Sequence, residues 1–511
     1  MIEFKSPKYI DHLFIGVLIS IAVLVGFLSV EQQSLLPLLL GSLFVVICLP
    51  WYLSIRSGRF DIFEPIIFHS IFTAMLAVAL FDRVYLQEWE WRYEIISYGY
   101  TEGFLLYGGA LLLVFSSTIV GYYGTLKWGK PYLQNVSFQM LNRTPNNFKT
   151  PRSGIYRILN LVDGGTGSTA IITQRFAFLF IGVGLLAFAY LFIRGPLAQD
   201  PFILYTETTP RSQLFSGYYI FTMIARLIYV GYFLWLASSV ISGKFPSLFQ
   251  IGALPLVMSF FLILGQRGVS LSIAIVVFVF CYYCWSFNKT QGSALMPRML
   301  NKIPTKAYPI FVGLGLLFSG LILPVLAALR QNQPPSSAFN DIDVVSILTA
   351  GIHNSEIDNF LALTEVVPSE LNYYYGSYYL RVLTNYIPRS LWEDKPVLTV
   401  GGLLRRLVNP ERSGGSPPGA VGNYYINGGY LGIILMGVLL GVIFALMYYS
   451  IRRENSSGFA LVIYSMLLVS IGRRGLENNL LAPLLIELLP ILIVISSILV
   501  LATNKRVNSV P

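Results

Sequence analysis

Residues 428–449 read Gly428-Gly-Tyr-Leu-Gly-Ile-Ile-Leu-Met-Gly-Val-Leu-Leu-Gly-Val-Ile-Phe-Ala-Leu-Met-Tyr-Tyr449, without a charged side chain. At 1.5 Å per residue a helix of that length runs about 33 Å, enough to cross a hydrocarbon core of about 30 Å. Lipid offers the backbone no hydrogen-bonding partner, so such a run takes the form that satisfies its own N–H and C=O groups, an α-helix. The fold class follows: an all-α, polytopic membrane helix bundle.

Working outward, about twelve transmembrane helices are predicted on length and apolarity: 11–30, 33–54, 66–86, 101–123, 175–194, 213–241, 247–265, 268–288, 308–329, 428–449, 458–472 and 480–502. A composition of 55% hydrophobic and 12% charged residues agrees. The first run is full length and leads into Glu31-Gln-Gln rather than a small-residue cleavage site, so it reads as a span and not as a signal peptide.

Lys and Arg set the orientation. The most basic connections are 124–175 (Lys127, Lys130, Arg143, Lys149, Arg152, Arg157, Arg175) and 289–307 (Lys289, Arg298, Lys302, Lys306). Placing both inside makes the two termini cytoplasmic and the long segment 330–428 extracytoplasmic. The net charge of +10 then reads as topology and attraction to anionic lipid, and no nucleic-acid partner is expected. Cys48, Cys281 and Cys284 all lie in apolar runs and read as packing residues. The expected organisation is a helix bundle of spans one to nine over 1–329, the loop 330–428, and spans ten to twelve over 429–511.

Long loops on rigid scaffolds are where binding and catalysis are sought. Within this one, 342–367 has the pattern of an amphipathic helix closed by Pro368. There follow an aromatic turn, Asn372-Tyr-Tyr-Tyr-Gly-Ser-Tyr-Tyr-Leu-Arg381, and the charged stretch Asn385-Tyr-Ile-Pro-Arg-Ser-Leu-Trp-Glu-Asp-Lys-Pro396.

Arginines on the outer side run against the positive-inside bias and are therefore informative. Arg267 sits in the tight hairpin Gly265-Gln-Arg-Gly268, Arg330 ends span nine, and Arg473 and Arg474 open Gly472-Arg-Arg-Gly-Leu-Glu477. Arg381, Arg389, Lys395, Arg405 and Arg406 lie on the loop. Guanidinium groups stay charged and grip phosphate oxygens in a fork. The plainer alternative is snorkelling to lipid phosphates or pairing with nearby acids. Arg226 falls near the middle of span six, too deep to snorkel, with Glu487 of span twelve as a candidate partner.

His353, Glu356 and Asp358 offer bases for a sugar hydroxyl. On a helix His353 and Glu356 share a face, with Asp358 turned about 140° from His353. A solvated polar face explains them equally. Asp341-Ile-Asp343 and Glu88-Trp-Glu90 have an acid-x-acid shape but no His/Cys set or phosphate-binding loop beside them, so no metal and no cofactor are expected. Tyr374, its tyrosine neighbours and Trp392 present flat faces suited to sugar rings or to a membrane interface.

The Gly-x-Arg-Gly hairpin, Ile357-Asp-Asn-Phe-Leu-Ala-Leu, Val367-Pro, Tyr375-Gly-Ser-Tyr, Ile387-Pro-Arg-Ser-Leu-Trp with Lys395-Pro, and the glycine-rich lead into span ten resemble the Wzy-type O-antigen, or oligosaccharide repeat-unit, polymerase family over roughly 250–500. The resemblance implies a GT-C-like bundle in a cell (inner) membrane. It implies a metal-independent, membrane-integral glycosyltransferase that moves a growing glycan from a polyprenyl-pyrophosphate carrier onto the next lipid-linked repeat unit. Arg267, Arg389 and Lys395 match the family by position as pyrophosphate ligands. Arg330, Arg381, Arg473, Arg474, Tyr374 and Trp392 join them as expected substrate contacts, with His353 and Asp358 as expected catalytic groups. Partners would be the lipid-linked glycan donor and acceptor, membrane lipids, a chain-length regulator and a flippase. A glycan ligase on the same bundle and, from another class, a lipid-linked-sugar or solute transporter remain the alternatives.

Overall fold

A computed structural model describes residues 34–57, 60–85, 91, 93–141, 167–200, 203, 214–215, 217–291, 352–381, 392, 399–408, 415–451, 458–477, 484 and 487–498. The regular structure among them is helical. In chain order the helices are α1 (Leu36–Arg56), α2 (Pro65–Tyr85), α3 (Tyr100–Leu141), α4 (Gly167–Ile193), α5 (Tyr219–Ala225), α6 (Leu227–Ile241), α7 (Leu248–Gly252), α8 (Leu254–Ile263) and α9 (Arg267–Gln291). They continue with α10 (Ile352–Val366), α11 (Ser377–Leu380), α12 (Val400–Val408), α13 (Gly419–Tyr425), α14 (Gly429–Leu446), α15 (Gly458–Arg474) and α16 (Glu487–Ile498).

Six described helices are long and apolar enough to cross a membrane, in α1, α2, α3, α4, α5–α6 and α14. Shorter apolar helices occupy 248–263, 268–284 and 487–498. The expected spans 11–30 and 308–329 lie outside the described residues. Side chains such as Leu186, Ile193 and Leu431 are more than 60% exposed, which in lipid is the favourable arrangement.

The chain forms two compact units. The first comprises 1–135, 343–448 and 470–483; the second comprises 136–342, 449–469 and 484–511.

In the first unit α3 and α14 meet along small residues. A methyl group on Gly437 would collide with Ser117 Oγ, one on Gly441 with the carbonyl of Thr118, and one on Gly121 with the carbonyl of Val438. Between helices in lipid the attraction comes from close packing, and glycines four apart let the backbones touch. α2 buries Ile66, Ile67, His69, Ser70, Thr73, Leu80 and Arg83, an unusually polar inner face for a span. At its start Glu64 accepts from Tyr122 Oη at 2.6 Å, and Asp61 accepts from Tyr448 Oη at 3.0 Å, so the turn before α2 is held by α3 and by the π-helical turn that follows α14.

In the second unit α4 packs on α6 through glycine again: a methyl on Gly231 would stand 2.6 Å from the carbonyl of Ala177. Arg226, at the break between α5 and α6, pairs with Glu487 of α16 at 3.2 Å. This is the partnership expected for a charge at that depth. α8 ends in a Schellman motif, in which Gly265 (φ +65°) donates to Leu262 O at 2.8 Å and Gln266 donates to Phe261 O at 2.7 Å. Arg267 then opens α9, so the expected hairpin forms with Arg267 at a helix N-terminus.

Candidate functional site

α10 is the centre of the polar structure in the first unit. It begins at Ile352 and ends at Val366, just before Pro368, as its amphipathic pattern requires. Phe360, Leu361, Ala362 and Leu363 are fully buried, Phe360 against Tyr107 of α3 (5.6 Å between ring centres) and Tyr425 of α13 (5.7 Å). The helix is thus a core element and not a surface-lying one.

Of its polar side chains Glu356, Asp358 and Asn359 are also buried and Glu365 is half-buried, and each meets a specific group. Asp358 holds Arg83 of α2: one guanidinium nitrogen, Nη2, lies 2.8 Å and 2.9 Å from the two carboxylate oxygens. The two side chains are 4% exposed or less, and Arg83 also stands over the Trp91 ring at 5.7 Å. Asn359 accepts from Tyr93 Oη at 2.7 Å and donates to the carbonyl of Pro417 at 2.8 Å. Glu365 accepts from the backbone N–H (2.7 Å) and hydroxyl (2.6 Å) of Ser97. Together these contacts seat the 91–98 link and the lead into α13 on α10.

Glu356 differs in kind. It is buried, and its Oε2 would be 2.5 Å from a methyl group on Gly419, whose φ of +66° also suits glycine alone. The charges of Glu477, Arg474 and Arg473 act on it. Burial above all, and then the Glu477 carboxylate, push Glu356 up to about 8, against the opposing pull of Arg474 and Arg473. Glu477 is itself 3% exposed, while Arg473 and Arg474 are half-buried. A carboxyl group that changes charge near neutrality can exchange a proton, and the two guanidinium groups whose charges it feels can hold an anion.

The tyrosine turn lies on the same unit. Tyr374 donates its backbone N–H to Ile426 O at 2.9 Å, and Gly376 donates to Asn427 Oδ1 at 2.9 Å. Arg381 lies over the Tyr374 ring at 4.7 Å and the Tyr378 ring at 5.2 Å, so two expected substrate contacts are brought together as a cation–π pair. Tyr379 Oη donates to Leu476 O at 3.0 Å. Burial pushes the Tyr379 and Tyr424 phenols well up, so both are neutral hydrogen-bonding groups.

Of the other expected site residues, Trp392 is 38% exposed. Arg330, Arg389 and Lys395 lie outside the described residues, as do the side chains of Arg267 and His353, whose backbones open α9 and α10. Arg267 belongs to the second unit and Arg381, Arg473 and Arg474 to the first. Arg83 and His69 carry no signal in the local sequence beyond being polar residues in an apolar span, which is itself a reason to look for partners.

A family model for the O-antigen polysaccharide polymerase Wzy matches residues 202–505. The chain belongs to this Wzy family. The match takes in α10, the tyrosine turn and the Arg473–Arg474 turn, but begins well after α2. No curated protein and no solved structure matches the chain. Membership in the Wzy family, with its apolar helices, makes this an integral membrane protein of O-antigen polysaccharide synthesis.

Proposed function

We propose that this Wzy protein polymerises polyprenyl-pyrophosphate-linked repeat units on the outer face of the cytoplasmic membrane. It does so from a GT-C-like bundle of twelve spans with both termini cytoplasmic. The observation that carries this reading is the buried carboxyl of Glu356, which abuts Gly419 and feels the charges of Glu477, Arg474 and Arg473.

In the reaction the acceptor hydroxyl oxygen attacks the anomeric carbon of the donor glycan. The bond from that carbon to the pyrophosphate oxygen breaks, and polyprenyl pyrophosphate leaves with the electron pair. Glu356 takes the hydroxyl proton, because its raised proton affinity makes its carboxylate a stronger base than an exposed one. Arg473 and Arg474 hold the pyrophosphate and neutralise the charge that grows on it as the bond breaks, so protein cations take the part that a metal plays elsewhere. Arg389 and Lys395 supply further phosphate contacts, and Tyr374, Arg381 and Trp392 line the path of the glycan; Arg267 and Arg330 are proposed phosphate-binding residues of the second unit. Asp358, already engaged by Arg83, fixes the orientation of α10 and so of Glu356.

The experiment is a surface-glycan ladder from cells carrying Arg473→Ala, Arg474→Ala or both, at matched protein level. Ladders shortened towards single capped repeats in each single variant, and reduced to single repeats in the double, are expected. Full ladders in the double variant would overturn the assignment, and full-length glycan left on the carrier would point to a ligase instead.

A further inference from the structure

The Arg473–Arg474 pair sits on the final turn of α15, and that turn is fastened by side chains from three other elements. The last four carbonyls of a helix have no partner within it. Gly472 O is one of them, and His69 Nδ1 of α2 lies 2.7 Å from it. A carbonyl can only accept, so Nδ1 carries the hydrogen and the imidazole is in its Nδ1–H tautomer. In a continuing helix Gly472 O would have accepted from Leu476. Here the Leu476 N–H donates instead to Tyr424 Oη of α13 at 2.7 Å, and Leu476 O accepts from Tyr379 Oη beyond α11's start at 3.0 Å. Gly475, at φ +68°, makes the reversal and donates to Ile471 O at 2.7 Å. A methyl group there would stand 2.5 Å from Tyr424 Oη, so the phenol sits directly on the glycine.

The imidazole has little freedom. His69 is 6% exposed, and its ring packs edge-on to Phe444 (5.4 Å) and tilted on Phe115 (5.8 Å). It lies fourteen residues before Arg83 on the same helix, about 21 Å along the axis. One helix therefore carries both anchors: Arg83 for α10, which bears Glu356, and His69 for the turn that bears Arg473 and Arg474.

We propose that His69 is a positioning residue: through the Gly472 carbonyl, and with Tyr424 as its counterpart on Leu476, it sets the Arg473–Arg474 turn against Glu356. The inference rests on the reading of that arginine pair as pyrophosphate ligands. His69 touches no reacting atom. It removes the freedom of the turn, and a misplacement of about 1 Å in such a clamp costs on the order of 100-fold in rate.

The test uses the full chain in detergent with a synthetic polyprenyl-pyrophosphate repeat unit. His69→Phe keeps the ring contacts and removes the donor; His69→Asn removes the ring and places an amide N–H near the Nδ1 position; Tyr424→Phe removes the acceptor on the other side. Amide hydrogen exchange of the 470–477 peptide is read beside kcat and KM. Expected are exchange at least about tenfold faster, and kcat/KM lower by about 10- to 100-fold, in His69→Phe and Tyr424→Phe. His69→Asn is expected to recover both to within about threefold of the parent. Unchanged exchange in His69→Phe would overturn the clamp, and it would leave the arginine reading intact if Arg473→Ala still loses activity. Faster exchange with unchanged kcat/KM would overturn the positioning role. If the arginine variants were then also fully active, the phosphate reading itself would be the part that failed.

Discussion

Arg83 Nη2 lies between both carboxylate oxygens of Asp358, at 2.8 Å and 2.9 Å, with the two residues 275 positions apart in the chain. The pair joins a membrane-crossing helix to the helix that carries Glu356. Breaking a buried pair from one side leaves an uncompensated charge and costs about 3–5 kcal/mol. Asp358→Ala and Arg83→Ala should each lower the unfolding midpoint in detergent steeply. The double variant should be less damaging than the two single losses added together. Additive losses would show that the two side chains do not depend on each other.

The pH dependence follows from Glu356. As a base it must be ionised, and its proton affinity is raised to about 8, so turnover should rise with pH from about 6 to 8 and level off above. The stability effect has the opposite slope. A folded-state value above the unfolded one of 4.5 means that the folded state holds the proton more tightly, so stability falls as pH rises from about 4.5 through about 8. Glu356→Gln should flatten that slope while removing turnover. Initial rates and unfolding midpoints across the same buffers check both.

Gly419 is constrained twice, by its φ of +66° and by Glu356 Oε2 at 2.5 Å from where a methyl would sit. Gly419→Ala should therefore displace the carboxyl or strain the turn, costing about 1–3 kcal/mol, and lower turnover more than Gly217→Ala. Gly217 has a similar φ of +83° and, among the described residues, nothing within 4 Å of where a methyl would sit, so it serves as the comparison for the backbone cost. Equal effects at the two positions would remove the contact with Glu356 from the account.

The α3–α14 seam predicts a packing phenotype separate from chemistry. Gly441→Val must push the helices apart at the Thr118 carbonyl, with a loss of about 1–3 kcal/mol in stability, read as a lowered unfolding midpoint. The pH profile of the remaining activity should keep its shape, which is measurable on the same preparation.

Much of this was legible from apolar periodicity and charge placement. The uncharged run 428–449 becomes α14, the described part of the 342–367 pattern becomes α10 over 352–366 with 342–351 outside the described residues, the Gly265 hairpin forms, and Arg226 finds Glu487. These depend on local pattern or on the rule that a deep charge seeks a partner. The division of labour among the α10 acids was not legible. Residues 353, 356 and 358 share a few residues of helix, and no local signal tells that Asp358 meets an arginine from α2 while Glu356 abuts a glycine and feels the charges of the 473–477 turn. His69 was invisible for the same reason: its partner is a backbone carbonyl 403 residues away, and a carbonyl leaves no mark in the sequence.

The most direct measurement is polymerisation by Glu356→Gln at matched protein level, read as the surface-glycan ladder and as turnover of a synthetic lipid-linked repeat. The amide keeps the size and the burial but cannot take a proton. The account predicts a folded protein, an intact unfolding midpoint and a ladder collapsed to single capped repeats, with turnover down by about 100-fold or more. A full ladder from Glu356→Gln would contradict it and return the search for the base to the rest of the 330–428 segment.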